Sequence, residues 1–165
     1  MLKPHDCPHG RCIMCPGGTQ FNTPQSYTGK EPAARRASRA KYNPYQQVFN
    51  RLEQYIILGQ MPQKIELIIM GGNFITYPKN YKINFIKSCF QALNDFSEKF
   101  YNPKFNFAEF KKFFELPSED INSKKRISTV QKKIRKLKKK TTLIKEQNKN
   151  ETSKVNNPVA RPQGI

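Results

Sequence analysis

The sequence lacks any apolar run long enough to cross a bilayer. A membrane helix needs ~18 or more consecutive apolar residues, whereas the longest runs here are YIIL at 55–58 and LIIM at 67–70. The first residues, MLKPHDCPHG, contain no hydrophobic segment of the kind that marks a secretory signal. Because disulfides form mainly in exported proteins, metal or cluster binding explains the cysteines better than disulfide bonding does. We therefore expect a cytoplasmic protein that does not enter a membrane.

Acidic residues are also scarce. The chain has 12 Asp and Glu against 30 Lys and Arg, which gives a net charge of +18. Residues 1–120 contain 16 basic and 10 acidic residues, a net +6, and residues 121–165 contain 14 and 2, a net +12. Such an excess of positive charge attracts polyanions, of which nucleic acid is the commonest. A solvated charged helix or tail is the alternative explanation.

The spacing of apolar residues predicts several helices and one strand. Helices are predicted at 33–42, 44–58, 81–96, 105–116 and 124–140. The stretch KIELIIM at 64–70 is short, rich in β-branched residues and followed by Gly71-Gly72, which is typical of a buried strand. Helix–strand–helix order predicts an α/β fold with a parallel sheet. Since one strand cannot form a sheet, we expect further strands within the loops or a piece of a larger fold.

Three of the four cysteines are crowded into the segment CPHGRCIMCPGG, at 7–18, with the spacing C-x4-C-x2-C. They are Cys7, Cys12 and Cys15. Three thiolates on a [4Fe–4S] cluster leave one iron free for a ligand that is not protein. A structural zinc site would instead need His5 or His9 as its fourth ligand, and the spacing leaves both sites open. Cys89 falls among apolar residues of a predicted helix, so we expect it to be buried.

Several motifs together resemble one protein family. CPHGRCIMCPGG is followed by QSYTGKEPAARRASRAKYNPYQQVFNRLEQ at 25–54 and by IELIIMGGNF at 65–74. In this order the motifs resemble the catalytic subunit of the Elongator complex, the family of tRNA uridine-34 acetyltransferases, also called carboxymethyluridine synthases. The resemblance runs from Lys3 to about residue 96, and 105–155 is similar to the archaeal branch.

The resemblance implies a radical S-adenosylmethionine (SAM) domain, which is a partial (β/α) barrel. Residues 1–100 would be the N-terminal part of that domain, 101–155 a helical basic connecting segment, and 156–165 a disordered tail. The family's acetyltransferase domain and its first barrel strand, which would precede Lys3, are expected to be absent. The activity implied is addition of a carboxymethyl-type group to carbon 5 of tRNA uridine 34, with acetyl-CoA as substrate. We expect this chain to be a fragment that does not complete turnover alone.

The resemblance also assigns cofactor-binding residues. Those implied for a [4Fe–4S] cluster are Cys7, Cys12 and Cys15. SAM would bind the unique iron through its amino and carboxylate groups, beside Gly71 and Gly72, where the absence of side chains lets the backbone approach a ligand closely. Two SAM-binding positions depart from the family pattern. Met14 stands where tyrosine is usual but can still pack against adenine, and Asn73 stands where threonine is usual.

A basic segment follows the cysteines and interleaves cations with Tyr27 and Tyr42. Its cations are Lys30, Arg35, Arg36, Arg39 and Lys41. Such a combination suits phosphates and unstacked bases, and the resemblance implies the anticodon region of tRNA as partner. An ordinary solvated helix face is the alternative. The helix predicted at 124–140 indicates tRNA contact less strongly, because its apolar seam also fits packing on the barrel.

Two other hypotheses compete with the enzyme. The first is a non-enzymatic nucleic-acid-binding module, with a zinc knuckle at 5–15 completed by His5 or His9 and a basic helix at 124–140. The second is a decayed fragment that neither folds nor binds a cofactor. The three hypotheses predict different metal contents. The enzyme would hold a cluster that SAM perturbs, the nucleic-acid-binding module would hold zinc alone, and the decayed fragment would hold no stable metal.

Overall fold

Six helices make up most of the described part of the chain. The structure is a computed structural model that describes residues 1–62, 64–101 and 104–156, the last five of these by their backbone only. The helices are α1 (Pro32–Arg39), α2 (Pro44–Ile57), α3 (Lys79–Phe100), α4 (Phe107–Phe114), α5 (Lys124–Leu137) and α6 (Leu143–Asn156). Two short 3-10 turns, Thr19–Phe21 and Phe74–Thr76, lie in the loops before α1 and α3. The five predicted helices are confirmed within a few residues at each end.

Local sequence signals explain where these helices begin. Asn43 caps α2 by accepting a hydrogen bond from the Gln46 amide at 3.1 Å, and Pro44 occupies the first turn, where its missing N–H costs nothing. Asn106 caps α4 in the same way, with the Glu109 amide at 3.0 Å. α3 extends four residues beyond its predicted end because Phe100 continues its apolar face into the core.

The main hydrophobic core lies between α2, α3, α4 and α5. Its largest fully buried side chains include Tyr45, Phe49, Phe96, Phe100 and Phe114. The Phe100 ring lies 5.5 Å from the Phe113 ring and 5.8 Å from the Phe114 ring, centroid to centroid, within the range where aromatic pairs attract. The segment before residue 100 and the helical segment after it therefore share one core.

Buried polar contacts fix the last two helices. Arg126 of α5 donates to a Glu53 carboxylate oxygen of α2 at 2.5 Å and to the Phe114 carbonyl at 2.7 Å. Asn94 of α3 donates to Glu146 of α6 at 2.7 Å, and the Asn150 amide donates to Asn94 at 2.7 Å. These contacts align α5 and α6 along α2 and α3.

The predicted strand at 64–70 is wrong for the described residues. Residues 1–62, 64–101 and 104–156 contain isolated bridges but no strand, so the α/β barrel is not observed in them. The segment keeps a two-residue alternation, since Ile65 and Leu67 are half-buried whereas Ile68 is 67% exposed. Sheet-type pairing is limited to its two ends: Ile65 forms an isolated bridge, and the Leu2 amide donates to the Met70 carbonyl at 2.8 Å. A strand needs a ladder along its length, and the described residues offer no second strand.

Two further expectations concern the chain ends and the membrane. The tail predicted at 156–165 lies outside the described residues, apart from Asn156 at the end of α6. No helix in the described part of the chain is long and apolar enough to span a bilayer.

Candidate functional site

The cysteine loop, residues 7–18, extends from the protein as two successive turns. The Gly10 amide donates to the Cys7 carbonyl, and the Cys15 amide donates to the Cys12 carbonyl, each at 3.0 Å. All three thiols are free. Met14 is 89% exposed and Ile13 is fully exposed, so the protein does not cover this part of the loop. The loop therefore presents Cys12 and two apolar side chains outward, while Cys7 and Cys15 are half-buried.

The surroundings shift the pKa of two of the three thiols. Burial raises the pKa of the Cys7 thiol, and Cys12 and Cys15 raise it further, as like charges in one site do. The Ser26 amide donates to Cys15 Sγ at 3.3 Å and lowers the pKa of the Cys15 thiol. Since thiolates are the metal-binding form, a cation bound at this loop would relieve the repulsion between them.

The metal-binding side chains of the described residues do not converge on one position. Among the described residues, no three His, Cys, Asp or Glu side chains converge on a point where they could hold one ion. His9 Nε2 lies 3.0 Å from Cys12 Sγ, but His5 Nε2 contacts the Thr76 carbonyl at 3.4 Å and its ring lies against Tyr77. The four converging donors of structural zinc are therefore not assembled. A cluster takes one thiolate per iron, so three thiols on one exposed loop fit it chemically without meeting at a point.

The Gly71–Asn73 turn lies against the other side of the same region. Gly71 and Gly72 have φ of +119° and +68°, values that favour glycine. A Cβ on Gly72 would lie 3.0 Å from Cβ of Gln25, and one on Gly71 would lie 3.2 Å from the Leu2 amide nitrogen. Asn73 accepts a hydrogen bond from the Ile75 amide at 3.2 Å. Both glycines are therefore required by backbone conformation and close packing.

Gln25 connects this turn to the cysteine loop, which sequence reasoning missed. Cys15 Sγ donates to Gln25 Oε1 at 3.0 Å, and Gln25 is only 8% exposed. The structure thus brings Cys15 and Gly72 to two sides of one side chain. Met14 and Asn73 are both exposed and do not take part in this contact. Glutamine is not a usual metal ligand, and nothing in its spacing from the cysteines marked it.

The five basic residues predicted to bind RNA are not equivalent. Four are exposed: Lys30, Arg35, Arg39 and Lys41. Arg36 is half-buried and lines a mostly apolar cavity of about 680 Å³ together with Arg51 and Tyr55. Burial and the neighbouring Arg51 charge lower the pKa of Arg36. Arg36 is therefore separated from the exposed cations.

The structure joins the two basic segments. The Gln131 side-chain amide of α5 donates to the carbonyl of Arg39, the last residue of α1, at 3.2 Å. Arg35 and Arg39 lie four residues apart and so share one face of α1. We call the exposed cations of residues 30–41 and of α5 the basic surface. Those of α5 are Lys124, Lys125, Lys132, Arg135 and Lys136.

Comparison with known proteins gives a consistent set of relatives. The chain is 44% identical over 106 residues to Elongator complex protein 3 of Saccharomyces cerevisiae, a match that covers 59% of this chain and 19% of that protein. It is 46% identical over 102 residues to the tRNA uridine(34) acetyltransferase of Methanocaldococcus infernus, covering 60% and 19%, and 47% identical over 97 residues to that of Methanocaldococcus jannaschii, covering 57% and 18%. No family model matches the chain. The matched part of the chain thus spans less than a fifth of the length of these curated relatives.

Proposed function

We propose that this chain serves in modification of the wobble uridine of tRNA, because about 100 of its residues are similar to Elongator complex protein 3 and the tRNA uridine(34) acetyltransferases. The observation that carries the proposal is the 44–47% identity to proteins with these names, in both archaea and eukaryotes. The match covers a small share of each relative, so we assign this chain a part of the activity. We propose that it binds cofactors and does not complete turnover alone.

We propose that this part is the cofactor site of a radical SAM enzyme. Cys7, Cys12 and Cys15 would hold a [4Fe–4S] cluster, and SAM would bind beside it near Met14 and the Gly71–Asn73 turn. When bound, the two cofactors supply one-electron chemistry that side chains cannot perform. The chain itself contributes the loop that carries the thiols and a glycine turn that lets backbone groups approach a ligand. The three free thiols of one loop, and the rise that Cys12 and Cys15 cause in the pKa of Cys7, support this proposal.

The substrate is proposed to be the anticodon region of tRNA, with acetyl-CoA as the acyl donor. The basic surface supports the first part, since it provides cations spaced along two adjacent helices for phosphate contacts. We assign no residue of this chain to acetyl-CoA, whose site would lie in the family's acetyltransferase domain.

Anaerobic reconstitution of the whole chain with iron and sulfide tests the cofactor proposal. We expect about four irons per chain, an absorbance spectrum that SAM alters, and loss of iron in Cys12→Ser. The matched control is Cys89→Ser, because Cys89 is a free cysteine that is 3% exposed and lies far along the chain from the loop. Equal iron content in the two variants would contradict the assignment.

A second candidate function remains distinguishable in the same experiment. The contact between His9 and Cys12 favours a metal-binding loop that includes histidine. Zinc at about one per chain, with no iron uptake and with loss in His9→Ala, would indicate the nucleic-acid-binding zinc module instead.

A further inference from the structure

Gln25 has the contacts of a residue that holds the cysteine loop in place. It belongs to the loop between the cysteines and α1 and is 8% exposed, like the preceding Thr23 and Pro24, which are also buried, whereas Ser26 and Gln20 are exposed. Its Oε1 accepts from Cys15 Sγ at 3.0 Å. A Cβ added to Gly72 would lie 3.0 Å from the Cβ of Gln25. A Cβ added to Gly18 would lie 3.3 Å from the Oε1 of Gln25. One buried polar side chain thus touches the cysteine loop and the glycine turn.

The amide chemistry of Gln25 suits a sulfur that changes its hydrogen-bonding role. A neutral thiol donates, and Oε1 accepts from it, as the structure shows. A metal-bound thiolate can only accept, and rotation of the amide then presents an N–H to it. Glutamate would offer only acceptors, and methionine would fill a similar volume with no strong donor or acceptor. Glutamine therefore satisfies the sulfur with and without metal.

We propose that Gln25 is a positioning residue for the third cluster ligand: its amide hydrogen-bonds Cys15 Sγ and fixes that sulfur relative to the Gly71–Gly72 turn. This inference rests on the proposed iron–sulfur site. Partners that orient a metal ligand typically change metal affinity 10–100-fold when they are removed. Hydrogen bonds to the sulfurs and nearby charge also set the reduction potential of a cluster.

The test compares the unaltered chain with three variants after anaerobic reconstitution of the whole chain. Gln25→Met removes the hydrogen bond at similar volume, and Gln25→Glu replaces the donor with a negative charge. Gln20→Glu is the control for charge, because it makes the same change at an exposed position of the same loop. The measurements are the rate of iron release to a chelator, the midpoint potential of the cluster, and the melting temperature of the metal-free chain.

We expect iron release to be about 10–100-fold faster in Gln25→Met and Gln25→Glu than in the unaltered chain and in Gln20→Glu. Gln25→Glu should also move the midpoint potential to a more negative value, because a carboxylate disfavours the reduced cluster. Melting of the metal-free chain monitors folding, and a loss of structure alone would not shift the potential of the cluster that remains. If Gln25→Glu fails to fold, Gln25→Met still tests the inference through iron release.

Glycine substitutions probe the same contact from its other side. Gly72→Ala and Gly59→Ala both place a side chain at positive φ, +68° and +78°, but only the new Cβ at Gly72 meets Gln25, and the one at Gly59 meets nothing within 4 Å. Faster iron release in Gly72→Ala than in Gly59→Ala supports the inference. Variants at Gln25 and Gly72 that match their controls would overturn it and leave the proposed cluster intact. Failure of the unaltered chain to bind a cluster would overturn both.

Discussion

Glu53 and Arg126 form an ion pair that lies almost wholly inside the protein. Their side chains are 11% and 8% exposed, and the guanidinium also donates to the Phe114 carbonyl. Burial raises the pKa of Glu53, while Arg126 opposes the rise. Either charge, buried without the other, would destabilise the folded state.

We expect Arg126→Met to reduce the free energy of unfolding by about 3–5 kcal/mol at pH 7, because it leaves the Glu53 carboxylate buried without its partner. Lys133→Met is the control, since it breaks the half-exposed pair with Glu115, and pairs of that kind contribute only about 0–1 kcal/mol. Urea unfolding of both variants measures the difference. Similar losses in the two would show that burial of the Glu53–Arg126 pair has no special consequence.

Ionisation of Asp95 makes the free energy of unfolding depend on pH. Tyr45 donates its hydroxyl hydrogen to Asp95 at 2.6 Å. Burial raises the pKa of Asp95, and the nearby Glu146 and Glu98 add to the rise. Because the folded state binds this proton more tightly than the unfolded state, its contribution is favourable below the unfolded pKa and is lost as pH rises through the folded pKa.

Asp95→Asn should therefore stabilise the protein at pH 7. Asparagine still offers Tyr45 an acceptor but carries no charge. We expect the gain over the unaltered chain to shrink as pH falls toward about 3.9, the unfolded pKa of aspartate. Thermal melts across this pH range measure it, with Glu119→Gln as a control that removes one charge at an exposed site. A gain that is the same at every pH would contradict the assignment to Asp95 ionisation.

At the level of elements, helices with an apolar stripe were predictable and contacts made by polar side chains were not. α2 and α5 follow the 3.6-residue period that their sequences predict. α6 does not, because the face that it buries contains Glu146 and Asn150, whose partner Asn94 lies more than 50 residues away. Burial of a polar residue depends on a partner that local spacing does not reveal.

The strand prediction was wrong and Gln25 was missed for the same reason: both depend on contacts between residues that lie far apart in the sequence. KIELIIM has the composition of a strand, but a strand forms only with a neighbour along its length, and the described residues show an isolated bridge at Ile65 and one backbone bond at Met70. The cysteines were identifiable because their spacing is local. Gln25 was not, because its role depends on the approach of Gly72, which is 47 positions away in the sequence.

The aromatic cluster between α3 and α4 holds α4 on the core. Phe100 is fully buried against three phenylalanine rings of α4, whereas Phe107, also in α4, is 51% exposed. We expect Phe100→Ala to cost about 3–5 kcal/mol through lost burial and the cavity left behind, and Phe107→Ala to cost much less. Chemical denaturation followed by far-ultraviolet circular dichroism measures both. Equal costs would show that α4 is not anchored through Phe100.

For the whole molecule, the charge of +18 is distributed so that two basic helices meet. α1 and α5 were predicted as separate cationic segments, and the contact between Gln131 and Arg39 makes them adjacent. A polyanion that contacts α1 would therefore have further cations within reach on α5. Half-buried Arg36 lines a cavity beside Arg51 instead.

This arrangement predicts how RNA binding depends on salt. Each phosphate that a protein neutralises on single-stranded nucleic acid contributes about 0.7 to the slope of log K against log salt. Loss of two contacts in Arg35→Gln/Arg39→Gln should therefore lower the magnitude of the slope by about 1.4 and weaken binding of a tRNA anticodon stem–loop. Lys111→Gln/Lys112→Gln removes the same charge from α4, outside the basic surface, and should change the slope less. Fluorescence anisotropy from low to physiological salt measures both variants. If the two pairs changed the slope equally, net charge rather than the basic surface would account for binding.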